Sequence, residues 1–221
     1  AVCLMKIEKL FAPEMSDQFF QEKASFLARL GSGSACRSTY GGLVIWGAHS
    51  AVPESSNFYG VPLRDTHEIF DTYQDSILLI DKGQKPVSSS MGHKLMIDHP
   101  YAEARFAQAR QNITLLKEVL TQGDLNEFNR IVESEALALH AMMLTSNPYY
   151  ILMRPNTLSA IERIWYFRAS TNTPICFTLD AGANIHLLYP EAEKSKVHPF
   201  IEEKLRPLCQ DGDILYDYVS K

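Results

Sequence analysis

The most constraining feature of this 221-residue chain lies toward its C-terminal end, where the apolar runs Ile175–Asp180 and Ile185–Tyr189 are separated only by the turn-forming residues AGAN. A crossover between parallel strands needs a dozen or more residues, so these two strands must pair as an antiparallel hairpin. Other elements fall into place around it. Ser76–Asp81 (SILLID) reads as a strand upstream, and Ile214–Val219 as a strand downstream. Between the first strand and the hairpin, Phe106, Ala109, Ile113, Leu116 and Leu120 recur at spacings of three and four, with Pro100 where a helix can begin and Gly123 where it ends. Leu125, Phe128, Ile131, Val132 and Leu139 mark a second helix. A third carries Leu158, Ile161, Ile164 and Trp165, with Asn156 as its expected cap. Val197–Leu208 is a helix before the last strand. The order strand, helices, strand, strand, helix, strand is that of a split βαβ, ferredoxin-like unit. It predicts an α+β fold, with this unit spanning residues 71–221.

Residues 1–70 form a separate region. AVCLMKIEKLF is amphipathic, with Val2, Met5, Leu10 and Phe11 as its apolar positions. Lys6, Glu8 and Lys9 interrupt the apolar run, which excludes a signal peptide. The segment starts without Met or cap and reads as the second half of a helix, so residue 1 is not expected to be the natural start. Ser16–Asp17 can cap a helix running to about Arg29, with Phe19, Phe20, Phe26 and Leu27 apolar. GSGSACRS and Tyr40-Gly-Gly follow, then LVIW as a short buried strand. Residues 47–74 are polar and rich in turn formers and predict a long surface connection.

Composition narrows the function classes. With 46% apolar residues the chain can bury a substantial core. A net charge of −5, with no Lys/Arg run, does not favour a nucleic-acid partner. No apolar stretch reaches membrane-spanning length. Four widely spaced cysteines without a CxxC pair predict reduced thiols and a cytoplasmic protein. The seven scattered histidines show no HExxH or Cys/His cluster, so no bound structural metal is expected.

Three segments can carry chemistry. In GSGSACR (Gly31–Arg37) the glycines permit close approach of the backbone, Ser32 and Ser34 offer hydroxyls, and Arg37 can pair with a carboxylate or phosphate. The plainer alternative is a Gly/Ser turn beside a surface arginine. In FTLDAGAN, Asp180 ends a strand and so sits on a rigid support, where a general base for an alcohol is well placed. Asp and Gly are also the ordinary residues of a hairpin turn. PVSSSMGH (Pro86–His93) is either a donor-rich loop or a plain solvated one. His140, on the apolar side of its helix, reads as a hydrogen-bonded core histidine, and Met142–Met143–Leu144 as core.

Taken in order, RLGSGSACRS, YGG with a strand and Trp, KPVSSSMGH and FTLDAGAN resemble the diphosphomevalonate decarboxylases. These belong with the galactokinase, homoserine kinase, mevalonate kinase and phosphomevalonate kinase superfamily. The resemblance covers nearly the whole chain and extends to EALALHAMML and the NPYY–PNTL region. It implies a two-lobed small-molecule-kinase-like fold, with a partial N-terminal (ATP/substrate) lobe in residues 1–70 and a ferredoxin-like C-terminal lobe. It also implies ATP-dependent decarboxylation of (R)-5-diphosphomevalonate to isopentenyl diphosphate. The 3-hydroxyl is phosphorylated, with Mg²⁺ assisting ATP, and phosphate and carbon dioxide are then lost. By resemblance Asp180 is the catalytic aspartate beside the 3-hydroxyl, and Arg37 contacts both the substrate carboxylate and Asp180. Ser32 and Ser34 belong to the diphosphate pocket, Ser89 lies on its far side, and a homodimer is expected.

Two positions depart from the family pattern. Ser90 stands where some relatives carry an arginine that pairs with the diphosphate; Lys85, Lys94 and a residue outside this chain are the candidates to supply the charge. The turn reads DAGAN where the family often has DAGPN, so Ala183 replaces a proline. The family's ATP phosphate loop and a substrate strand with a Lys and a Tyr should lie upstream of residue 1, so the chain alone is expected to have little activity. Two alternatives stay open: a kinase-only relative acting on the 3-hydroxyl, and a non-catalytic interaction domain.

Overall fold

A computed structural model describes residues 1–83, 92 and 94–219. It divides into two compact units, Ala1–Thr66 with the C-terminal residues from Val219, and His67–Tyr218.

The first unit opens on α1 (Val2–Phe11) and α2 (Asp17–Gly31). Ser16 caps α2 as expected, its Oγ accepting from the Phe19 amide at 3.2 Å. A 3₁₀ helix, Gly33–Thr39, follows, and β1 (Val44–Ile45) pairs antiparallel with β2 (Val61–Pro62). The stretch 47–74 is not only a surface connection. It supplies β2, and Val52, Phe70 and Tyr73 are buried.

The second unit is built on the sheet β4-β5-β3-β6, from β3 (Gln74–Leu78), β4 (Cys176–Leu179), β5 (Ile185–Tyr189) and β6 (Ile214–Tyr218), antiparallel throughout. This is the split βαβ order expected from the sequence: the first strand lies between the second strand of the hairpin and the last strand. Helices α3 (Ala102–Gln122), α4 (Leu125–Leu144), α5 (Pro155–Thr171) and α6 (Lys194–Phe200) complete it. Alternation along the strands sends Leu78, Phe177, Ile185 and Leu187 into one core with Ala136, Ile161, Ile164, Val197 and Ile201. No helix among the described residues is long and apolar enough to cross a membrane.

Several expected boundaries moved. The strand expected at Ser76–Asp81 starts at Gln74 and ends at Leu78, because β3 is central and its span is set by partners on both sides, Gln74 facing Tyr189 and Tyr218. Asn156 does not cap α5. Pro155 holds the preceding Arg154 extended, Arg154 donates its amide to Thr157 Oγ1 at 3.1 Å, and Asn156 instead donates to the Leu208 carbonyl at 2.9 Å. Phe106 is exposed, and so is Leu144. The inner stripe of α3 runs through Arg105 and Asn112, which both donate to Glu135 of α4, and on to Val119 and Leu120. Pro199 cannot donate an amide, and beyond α6 the helix widens to a π turn over Ile201–Leu205.

Polar ties also join α4 to α5. Buried Glu133 accepts from Arg168 Nη1 (2.6 Å) and Nη2 (3.0 Å) and from Trp165 Nε1 (2.9 Å). Removing one member strands the other. Glu133→Ala is therefore expected to cost about 3 kcal/mol in urea unfolding, the lower end for breaking such a pair because Arg168 retains some solvent contact.

Candidate active site

In the first unit the segment after α2 is fixed by a buried serine. Ser25, fully buried, donates its Oγ to the Cys36 carbonyl at 2.7 Å and accepts the Gly60 amide at 2.8 Å. Thr39 Oγ1 donates to the same carbonyl at 3.0 Å. Gly33 packs closely on Trp46: a Cβ there would come within 2.8 Å of the indole, whose Nε1 donates to the Asn57 carbonyl, so a larger residue would displace the ring. The resulting 3₁₀ helix places side chains three residues apart on one face, so Ser34 and Arg37 project together. Ser32 sits at its start in an extended conformation, and all three side chains are exposed. The structure thus brings Ser32, Ser34 and Arg37 together on one short segment. Ser89, with the rest of the 84–91 segment that includes Lys85 and Ser90, lies outside the described residues.

In the second unit Asp180 follows β4 directly and is exposed. Its backbone carbonyl accepts from His140 Nε2 at 3.1 Å and from the Gly182 amide at 2.7 Å. The Ala183 carbonyl accepts from Thr157 Oγ1 at 2.8 Å, and Asn184 Oδ1 accepts the Asp81 amide at 3.0 Å. Three elements therefore hold the turn, and the rigidity that proline would give at position 183 comes from these bonds. His140 is the core histidine that the sequence indicated, Met142 and Met143 are buried near it, and burial pushes its pKa down.

Beside the turn lies a cleft of about 140 Å³, lined by residues that include Asp81, Arg154, Asp180, Gly182, Asn184 and His186. Small-molecule sites usually span about 300–1,000 Å³, so this cleft suits one polar end of a ligand. Arg154 Nε donates to Asp81 Oδ2 at 2.9 Å, and Asp81 Oδ1 accepts the Gly83 amide at 2.8 Å. The Gly83 amide and then Arg154 hold the Asp81 carboxyl below its ordinary range. His186 Nδ1 lies 2.8 Å from Asp75 Oδ2. Sequence reasoning did not single out Ser25, Thr157, Asp81, Arg154 or His186. They lie far along the chain from the segments they serve, and only the fold brings them near.

A small carboxylate-bearing cleft on a ferredoxin-like α+β unit, joined in sequence to a unit presenting serines and an arginine, suggests a small-molecule enzyme. The family comparisons define which. The model of the mevalonate 5-diphosphate decarboxylase C-terminal domain matches residues 76–218, and that of the diphosphomevalonate decarboxylase-like N-terminal domain matches residues 4–57. The chain belongs to the diphosphomevalonate decarboxylase family.

Among its relatives, the diphosphomevalonate decarboxylase of Candida albicans is 26% identical over 175 residues, covering 78% of this chain and 48% of its own length. The phosphomevalonate decarboxylase of Haloferax volcanii is 23% identical over 186 residues, covering 82% and 53%. The solved mevalonate diphosphate decarboxylase of Staphylococcus aureus shares the fold with a TM-score of 0.77 at 24% identity, covering 95% of this chain and 60% of that one. A solved complex containing MVAPP, AMPPCP and magnesium matches with a TM-score of 0.78 at 24% identity, covering 90% and 59%. The chain spans about half the length of the curated relatives it matches.

The buried imidazole gives the turn a pH dependence. His140 has a folded pKa below its unfolded value, so protons bind preferentially to the unfolded chain and stability falls as pH drops from near 6.5 toward the folded pKa. His198 is shifted the same way by burial. Only the difference between the wild type and His140→Gln therefore reports on His140. In urea titrations from pH 7 to pH 5 the wild type is expected to lose more stability than the variant.

Proposed function

We propose that this chain supplies the C-terminal lobe, and the last part of the N-terminal lobe in residues 1–70, of an ATP-dependent diphosphomevalonate decarboxylase. One observation carries the reading: Asp180 stands exposed on a turn held by three elements, in a region that matches the family's C-terminal domain. In this reading Asp180 takes the proton of the 3-hydroxyl as phosphate is transferred to it. Arg37 holds the substrate carboxylate, so that loss of phosphate and carbon dioxide can follow. Ser32, Ser34 and Ser89 contact the diphosphate. Each role fits its chemistry: a carboxylate as base, a guanidinium on a carboxylate, hydroxyls on phosphate oxygens.

Magnesium would accompany ATP and neutralise its phosphates. Among the described residues no group of three or more His, Cys, Asp or Glu side chains is placed to hold a metal ion, and Mg²⁺ is ordinarily held by nucleotide phosphates and water with one or two carboxylates. The four cysteines are unpaired thiols, which supports a cytoplasmic setting. The homodimer is proposed on family resemblance.

A second reading concerns the substrate. One relative is named a phosphomevalonate decarboxylase, and Ser90 replaces an arginine that pairs with the diphosphate in some relatives. The diphosphate is preferred because the relatives from Candida albicans, Saccharomyces cerevisiae and Aspergillus fumigatus are named diphosphomevalonate decarboxylases.

Assays with ATP and either substrate test both readings. A protein of full family length containing this region is expected to release ADP and carbon dioxide in equal amounts from diphosphomevalonate, and the 221 residues alone little or none. ADP without carbon dioxide would point to the kinase-only relative. Absence of calorimetric binding of both ATP and diphosphomevalonate would point to a non-catalytic domain. Turnover of the monophosphate alone would reassign the substrate.

Asp180→Asn is expected to lower turnover by about a hundredfold or more, the usual scale for loss of a general base. Its melting temperature should stay close to that of the wild type, because the turn is held through the Asp180 carbonyl while its carboxylate is exposed. Near-normal turnover would return Asp180 to the role of a turn residue.

A further inference from the structure

We propose that Arg154 contacts the phosphoryl group transferred in the Asp180 cleft, held for that task by Asp81; this rests on the decarboxylase reading above. The backbone of Arg154 is tied to the Asp180 turn. Its amide donates to Thr157 Oγ1, and that hydroxyl donates to the Ala183 carbonyl. Its guanidinium is aimed as well. Nε is taken by Asp81, whose other oxygen is fixed by the Gly83 amide and whose own amide is fixed by Asn184. An arginine has five N–H donors, and this pairing uses one. The two Nη groups have no partner among the described residues. Half-exposed ion pairs contribute little to stability, so stability alone gives little reason for this arrangement.

Arg154 and Asp180 line the same cleft, whose volume of about 140 Å³ has room for a phosphoryl group. In the proposed step the 3-hydroxyl oxygen forms a bond to the γ-phosphorus of ATP and its proton passes to Asp180. The bond from that phosphorus to the bridging oxygen breaks, and its electron pair leaves with ADP. Asp180 thus loses its negative charge as anionic phosphoryl oxygens arrive. Arg154, already neutralised at Nε by Asp81, offers its Nη donors to those oxygens, an interaction weighted toward the transition state.

Two measurements test this. In the full-length enzyme, Arg154→Gln is expected to lower kcat by about a hundredfold, the usual scale for one transition-state donor, with KM for the mevalonate substrate little changed. Guanidinium ion should partly restore Arg154→Ala, which a purely structural role would not allow. A kcat for Arg154→Gln within about twofold of the wild type would overturn the proposal.

The second measurement needs no turnover. In the wild-type chain, inorganic phosphate is expected to slow phenylglyoxal modification of Arg154, read by peptide mass, while leaving surface Arg163 unprotected. Equal rates at Arg154 with and without phosphate would also overturn the proposal. A full-length enzyme whose Arg154 is protected by phosphate yet which releases no ADP would fail the decarboxylase reading while keeping Arg154 as a phosphate contact.

Discussion

The contact on which the rest of the second unit depends is the one between His140 and the Asp180 carbonyl. A hairpin joined by five residues forces its turn against the helix layer, and a main-chain carbonyl there must find a donor. His140 lies on the inner stripe of α4 and supplies it from a nearly fully buried ring. Because the accepting atom is a carbonyl, the imidazole must carry a proton on Nε2, while burial favours the neutral ring. The same bond thus fixes the tautomer, anchors α4 over the hairpin and leaves the Asp180 carboxylate turned to solvent.

Polar ties between helices do the remaining positioning. Glu133 reaches Arg168 and Trp165 of α5, while Glu135 takes Arg105 and Asn112 of α3. Buried ion pairs add little net stability over apolar packing, since desolvation offsets most of their attraction. Their effect here is on register. Sliding α5 along α4 would strand Glu133, and a shift of α5 would carry Thr157 away from the Ala183 carbonyl. The geometry of the turn therefore depends on pairs more than ten residues away in sequence.

That dependence explains what could and could not be read from the sequence. The hairpin, the helix order and the split βαβ topology follow from local periodicity and one short loop, and they are present as expected. The ends of β3 are not local: polar Gln74 and Asp75 belong to the strand because β5 and β6 flank them. Phe106 fits an apolar period yet is exposed, because Arg105 and Asn112 turn inward to Glu135 on the neighbouring helix. Asp180 and the Gly31–Arg37 segment were visible as motifs. Ser25 and Arg154 were not, because a lone serine and a lone arginine carry no signal until the fold gives them partners.

The two units share one device. In the first, buried Ser25 holds the Cys36 carbonyl, and Ser34 and Arg37 project from the same 3₁₀ turn. In the second, buried His140 holds the Asp180 carbonyl, and the carboxylate projects. In both, a buried side chain satisfies a main-chain oxygen, so the backbone is rigid where the exposed group is mobile only about its own torsions. Ordering a loop on binding would subtract from affinity, and misplacing a reacting group by an ångström can cost two orders of magnitude in rate. Fixing the backbone beforehand avoids both costs. It also explains why the turn tolerates Ala183: once the carbonyls of residues 180 and 183 are held from outside, proline is no longer needed to stiffen the chain between them.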